Sequence, residues 1–345
     1  MSAIVVENLH RAFGPLKAVD RVSFTIEPGK VVGFVGANGA GKTTTMRILA
    51  TLDYPTAGKA SIMGRNVVLY PGDVRRILGW VPDSFGTYEN MSVLEYLDFY
   101  ARALNFRGQE RVDRIRDVMD FTDLTPLAER LINKLSKGQG QRLCLGRALI
   151  HDPQVLIMDE PAAGLDPRAR VELKRLIRIL ADEGKTILIS SHILSELGEM
   201  CDTLLFIDKG RIIHHDTAES LRRADQEFTL VDVQVTGEPQ RLIEWALTAP
   251  HVKITDERKY GARLQIDSTE SDVIAGVLRR MITDGLPVVE FHREERNLED
   301  AFIDILGKLE SGAMKPPPLP PSVAILPPGV HPPPPPPAQP QRPEL

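Results

Sequence analysis

An α/β fold built on a parallel sheet, followed by a smaller α+β unit, is what the sequence predicts, and three observations carry that reading. Continuous apolar runs, Val155–Met158 and residues 186–190, read as strands buried on both faces; between them residues 168–180 space apolar side chains helically, with arginines and lysines opposite. Val22, Phe24 and Ile26 alternate as in a half-buried strand. The loop Gly36-Ala37-Asn38-Gly39-Ala40-Gly41-Lys42-Thr43 lies between the apolar run 31–35 and a helical segment over 44–52.

That loop has the composition of a phosphate cradle. Its glycines let the backbone curl until successive N–H groups, and the positive end of the following helix, point at the β and γ phosphates of a nucleotide. Lys42 adds a full positive charge, and the Thr43 hydroxyl is suited to holding Mg²⁺.

The strand and helix alternation is expected to form one domain over 1–225. A second is expected over 226–310, where Thr229–Val235 alternates like a strand and 239–247 like a helix. Residues 251–256 and 262–267 follow as strands, 273–282 as an amphipathic helix and 288–292 as a last strand. This β-α-β-β-α-β order predicts a small split-βαβ sandwich, closed by a helix over 298–309. Its charged residues read as a solvated face, without a catalytic cluster. Residues 311–345 form a tail in which the stretch from Pro316 onward holds 15 of the 27 prolines, so polyproline II or disorder is expected. A solvated extension is the favoured reading, docking into an aromatic groove the alternative.

Composition bounds the partners. With 345 residues, 42% hydrophobic and 26% charged, the chain can form two modest globular domains. A net charge of -5 and a pI near 6.0 argue against nucleic acid as a partner. Cys144 and Cys201 lack metal-ligand spacing and disulfide density, which suits a reducing cytosol and a role as small buried hydrophobes. No signal peptide is readable at the N-terminus, and no apolar run approaches the roughly 20 residues a membrane span requires. The chain is expected to be soluble by itself, so any membrane span would come from another polypeptide.

The remaining chemistry clusters in three segments. Gln154-Val155-Leu156-Ile157-Met158-Asp159-Glu160-Pro161 is an apolar strand ending in two carboxylates, the arrangement in which Asp159 supports Mg²⁺ and Glu160 polarises an attacking water. Read alone, it could also be an acidic pair capping a helix. In Leu135-Ser136-Lys137-Gly138-Gln139 a serine and a glycine precede a helix, forming either a plain N-cap or a second anion-binding surface. Downstream come Ala163-Gly164-Leu165-Asp166-Pro167 and Ser190-Ser191-His192, the latter placing a histidine at a strand's carboxyl end, where ligands bind in open α/β sheets.

In this order the segments resemble the ATP-binding cassette (ABC) family, specifically the nucleotide-binding subunit of an ABC transporter, over about residues 4–218. The resemblance implies a P-loop NTPase fold with a mixed sheet and a helical subdomain, and ATP and Mg²⁺ as cofactors. It casts Gly36, Ala37, Asn38, Gly39, Ala40, Gly41, Lys42, Thr43 and Thr44 as phosphate-binding, and Phe13 as the ring that stacks on adenine. Thr43 and Asp159 would serve Mg²⁺, Glu160 would be the general base, and His192 would contact the γ-phosphate. Ser136, Gly138 and Gln139 would complete the site of a second ABC subunit, identical or different, with Asp166 coupling the two sites across the dimer.

Two positions depart from the family pattern. Asp83, in Gly79-Trp80-Val81-Pro82-Asp83, replaces the usual glutamine; it retains the ability to ligate Mg²⁺ but adds a negative charge. Lys137 replaces a signature glycine, its ammonium directed either at the partner's γ-phosphate or, as favoured, into solvent. The lysine-bearing signature and the small second domain look like the ABC-2 export branch. That resemblance implies an integral membrane permease as partner, facing residues 84–100, and a peripheral location on the cytoplasmic face of the cell membrane. One alternative is a soluble ABC ATPase acting on ribosomes or DNA, against which stand the single cassette and the lack of a coiled-coil or zinc insertion. The other is a nucleotide-binding regulatory protein.

Overall fold

The computed structural model describes residues 2–84, 86, 90–223 and 228–293, with isolated positions at 298, 302, 303 and 307. The proline-rich tail and most of the expected closing helix lie outside the described residues. The chain divides into two compact units, one closing at Ala218 and the other spanning Glu219–Glu310.

The first unit begins β1 (Ile4–Phe13), β2 (Leu16–Ile26), β3 (Val31–Val35), α1 (Lys42–Leu49), β4 (Ala57–Ile62), β5 (Arg65–Asn66), α2 (Pro71–Ile77) and β6 (Leu78–Val81). Helices α3 (Val93–Ala103), α4 (Gly108–Phe121) and α5 (Lys137–Leu149) follow, then β7 (Val155–Met158), α6 (Pro167–Asp182) and β8 (Thr186–Ser191). It finishes with α7 (Leu194–Gly198), β9 (Thr203–Asp208) and β10 (Arg211–Asp216), and α8 (Ala218–Arg223) leads onward.

Six strands form a sheet in the order β10-β9-β3-β8-β7-β6, parallel throughout except for the edge strand β10. Every residue of β3, β7 and β8 is buried, which explains why these runs are apolar without alternation. The first strands do not join this sheet. They form a separate antiparallel one, ordered β2-β1-β4-β5, a division the strand patterns alone did not reveal. The two sheets share a core in which Ile4, Phe24 and Ile62 of one meet Phe34, Ile157 and Leu205 of the other, and the rings of Phe24 and Phe34 lie 6.0 Å apart.

Helices α3, α4 and α5 pack on one another as a helical layer, with α5 also against β6. Arg147 on α5 ties this layer to the sheet: its guanidinium donates to Tyr96 Oη at 3.1 Å, to the Trp80 carbonyl at 3.2 Å and to Cys144 Sγ at 3.2 Å. Burial disfavours charge on this residue, but its neighbours Cys144, Tyr96 and Tyr100 outweigh that and hold its pKa above the ordinary value.

The second unit contains β11 (Thr229–Val235), α9 (Gln240–Thr248), β12 (Val252–Arg258), β13 (Gly261–Ile266), α10 (Ser271–Thr283) and β14 (Val288–Arg293). Its sheet, ordered β12-β13-β11-β14, is wholly antiparallel, and Val231, Val233, Leu242, Leu264, Ile274 and Met281 fill a core of its own. This is the strand and helix order expected from the sequence. Among the described residues no helix is long and apolar enough to cross a membrane.

Candidate nucleotide and metal site

The site is assembled along the carboxyl edge of the parallel strands, where their connections leave the sheet. Between β3 and α1, Gly36 is buried, Ala37, Asn38 and Gly39 form an exposed crest, and Ala40, Gly41 and Lys42 return to the interior. Two glycines are required there by space. A Cβ on Gly36 would lie 2.4 Å from the Ile207 carbonyl oxygen, and one on Gly41, whose φ is +108°, would lie 2.4 Å from that of Ala18. The loop is held from behind: Gly210 N–H donates to the Ala40 carbonyl at 2.9 Å, and Asp20 N–H donates to that of Gly210 at 2.8 Å. Asp20 is clamped in turn by Arg211, whose Nε lies 2.8 Å from Oδ2.

Gly41 caps α1, a helix with no acidic residue in its first turn. Its amides and positive end therefore face the loop without a competing side-chain anion. Thr44 is half-buried in the first turn, and the Thr45 hydroxyl donates to the Gly41 carbonyl at 2.9 Å. Lys42 Nζ is buried, donates to the Gly36 carbonyl at 2.6 Å and lies 3.3 Å from Glu160 Oε1.

Both carboxylates follow β7. Asp159 is 1% exposed and its Oδ1 accepts from Ser190 Oγ at 2.6 Å. Burial pushes its pKa above the usual carboxylate range; the Ser190 and Thr43 hydroxyls oppose that rise, and the charges of Asp83 and Glu160 add to it. Asp159, Thr43 and Asp83 are thus electrostatic neighbours, a set of hard oxygen donors of the kind Mg²⁺ requires. Asp83 is exposed, just beyond β6, whose Val81 is in register with Met158. Its Oδ1 accepts from Ser84 Oγ at 3.3 Å.

Glu160 has φ +48°, a left-handed backbone that costs a non-glycine residue about 1–3 kcal/mol. Its Oε2 lies 2.8 Å from His192 Nδ1, and Oε1 is buried with no hydrogen-bond donor, facing the Lys42 ammonium. The general-base candidate is therefore fixed by a half-exposed histidine on one side and the loop lysine on the other.

The other candidates lie on neighbouring elements. Phe13 is exposed near the tip of the β1–β2 hairpin, with the Arg11 guanidinium 4.5 Å over its ring, leaving one face open for stacking. Ser136 caps α5, accepting from Gln139 N–H at 3.3 Å, while Gln139 Oε1 accepts from Ser136 N–H at 3.0 Å. The Gln139 side chain is thus engaged within its own turn. Gly138 is held close to α6, where an added Cβ would meet that of Ala169 at 2.9 Å. Asp166 caps α6 through a 2.8 Å bond from Ala169 N–H. Lys137 is exposed, and its Nζ lies over Gly164, 2.5 Å from where a Cβ would be.

Ser190, passed over in the sequence for His192, is the residue that joins the two carboxylates, since its Oγ also accepts from Glu160 N–H at 2.8 Å. A hydroxyl ending an apolar run carries no local signal; only the pairing of β7 with β8 brings it there.

The model of the ABC transporter family matches residues 19–163. The chain is 33% identical over 312 residues to a probable multidrug ABC transporter ATP-binding protein, YbhF, of Escherichia coli K12, covering 89% of this chain but only 52% of that relative, so it spans about half of that protein's length. To the bacitracin transport ATP-binding protein BcrA of Bacillus licheniformis it is 32% identical over 311 residues, covering 89% of this chain and 98% of the relative. Among solved structures, cbiO1 of Clostridium perfringens, part of an ABC transporter complex, superposes with a TM-score of 0.58 at 25% identity, covering 64% of this chain and 90% of that one. The chain belongs to the ATP-binding proteins of the ABC transporter family.

Proposed function

We propose that this chain is the ATP-hydrolysing subunit of an export-type ABC transporter, acting on a separately encoded integral-membrane permease at the cytoplasmic face of the membrane. One observation carries the hydrolytic reading: Lys42, Asp159, Glu160 and His192 converge at one sheet edge, with Glu160 held between His192 at 2.8 Å and Lys42 at 3.3 Å. The transport reading is supported by family membership and by relatives named for multidrug and bacitracin transport.

In this reading the loop amides of Gly39, Ala40, Gly41, Lys42 and Thr43, with the Lys42 ammonium, hold the β and γ phosphates, and Phe13 offers its open face to adenine. Glu160 accepts a proton from the attacking water as its oxygen bonds to the γ-phosphorus; the bond to the β–γ bridging oxygen breaks, leaving ADP and phosphate. His192 keeps the Glu160 carboxylate aimed and is placed to donate toward the γ-phosphate. Asp159, Thr43 and Asp83 are the oxygens that would hold Mg²⁺, which when bound neutralises phosphate charge.

Ser136 and Gly138 present the α5 N-terminus to the nucleotide of a second ABC subunit, with Asp166 at the joint. Residues 1–225 are assigned as the ATP-binding domain, 226–310 as an accessory domain and 311–345 as a tail.

Membranes from cells co-expressing the chain with candidate permease genes test the transport reading. Sedimentation of the chain only when a permease is present, with Mg²⁺-dependent hydrolysis retained, is expected. An active enzyme that stays in the supernatant with every candidate would point instead to a soluble ABC ATPase.

A further inference from the structure

We propose that Ser190 is a positioning residue for hydrolysis, locking the metal-binding carboxylate Asp159 and the general base Glu160 into one rigid unit. The inference rests on the ATPase reading above and goes beyond it by assigning a residue outside the loop, the carboxylate pair and the histidine.

Ser190 is fully buried on β8, in register with Phe34 of the central strand. A serine has one proton to give, and here it goes to Asp159 Oδ1 at 2.6 Å, while the serine Oγ itself accepts from the Glu160 N–H at 2.8 Å. One atom therefore fixes the rotation of the first carboxylate and the backbone of the second. The backbone needs fixing, because φ +48° at Glu160 is a conformation that persists only where the surroundings enforce it. The same corner is braced by Ala163 N–H, which donates to the Glu160 carbonyl at 3.0 Å, and by Asp159 N–H, which donates to the Val81 carbonyl at 2.8 Å. With Oδ1 engaged, Asp159 is oriented to offer its other oxygen as a ligand. Burying a hydroxyl in an apolar strand is costly unless both its partners are present, and here both are.

The test uses the full chain carrying Ser190→Ala or Ser190→Thr. A fluorescent ATP analogue is titrated first in EDTA and then across a Mg²⁺ series, and kcat and KM are measured. Ser190→Ala is expected to bind the analogue in EDTA within about twofold of the unsubstituted chain, to need about tenfold more Mg²⁺, and to lose about tenfold or more in kcat, the scale of losing a partner that orients a metal ligand. Ser190→Thr, which keeps the hydroxyl, is expected to restore most of both.

A Mg²⁺ dependence and kcat unchanged in Ser190→Ala would overturn the proposal, as would an equal loss of binding in EDTA, which marks general damage. If circular dichroism shows Ser190→Ala unfolded, Ser190→Cys, similar in volume but a weak donor, takes its place under the same two criteria. No turnover by the unsubstituted chain with its permease would instead sink the ATPase reading itself.

Discussion

Replacing Gly41 by alanine imposes two separable costs on the phosphate loop. The first is conformational: φ is +108°, where a side chain costs about 1–3 kcal/mol. The second is steric, since the new Cβ would lie 2.4 Å from the Ala18 carbonyl oxygen. That obstacle is backbone, anchored through Asp20 N–H to Gly210 at 2.8 Å, so it cannot swing aside, and overpacking of this kind adds about 1–3 kcal/mol. Together they come to about 2–6 kcal/mol, against about 1–3 for Gly39→Ala, where φ is +83° and nothing lies within 4 Å of the added atom. If the loop relaxes by shifting its amides, ATP affinity absorbs the cost, and at about 1.4 kcal/mol per tenfold Gly41→Ala should bind at least about thirtyfold more weakly. Denaturant titration and fluorescent-nucleotide binding on both variants separate the terms. Equal stabilities and affinities for the two variants would refute the steric argument.

Three further outcomes follow from contacts on either side of the loop. Burial opposes charge on Asp20, but the Arg211 hydrogen bond and charge, with help from Arg21, outweigh it and hold its pKa below the ordinary range. Its contribution to stability is therefore fully present above about pH 4 and lost as pH falls through the lower folded value, so acid unfolding below pH 4 should be shallower in Asp20→Asn than in the unsubstituted chain. Arg147→Ala removes three hydrogen bonds, one from the helical layer to the Trp80 carbonyl of β6 and two within the layer to Tyr96 and Cys144, at a cost of about 2–4 kcal/mol in urea unfolding; Arg147→Lys should rescue little, since an ammonium lacks the planar fork. Ser136→Ala should cost about 1 kcal/mol through its lost N-cap and weaken ATP-dependent dimerisation measured by light scattering, and dimerisation at unchanged ATP concentration would contradict the role given to Ser136.

What was legible in the sequence was what is local. The phosphate loop is eight consecutive residues whose spacing follows from the chemistry of holding phosphate, and the paired carboxylates end a strand apolar enough to be recognised alone. The strand order of the small unit was readable because its strands alternate or are bounded by turns. The antiparallel sheet of β1, β2, β4 and β5 was not, because a strand pattern does not say which neighbour it pairs with. Asp20 and Arg211 form an ion pair across most of the first unit's sequence, and Trp80 and Arg147 meet only after the helical layer folds back on β6. Ser190 and the left-handed Glu160 belong to the same class, since their meaning arises from two strands lying side by side. Lys137, read as solvent-directed, is exposed, and what the sequence did not show is that its ammonium also lies over Gly164, where the start of α5 packs against the start of α6.

The most direct test of the central claim is ATP hydrolysis and ATP binding by Glu160→Gln, measured side by side with the unsubstituted chain. Glutamine keeps the size and shape of the side chain between His192 and Lys42 but cannot take a proton at neutral pH. The account predicts that turnover falls by about 10²–10⁴-fold while Mg²⁺-ATP binding persists. Turnover within a few-fold of the unsubstituted chain would contradict the assignment of Glu160 as the general base.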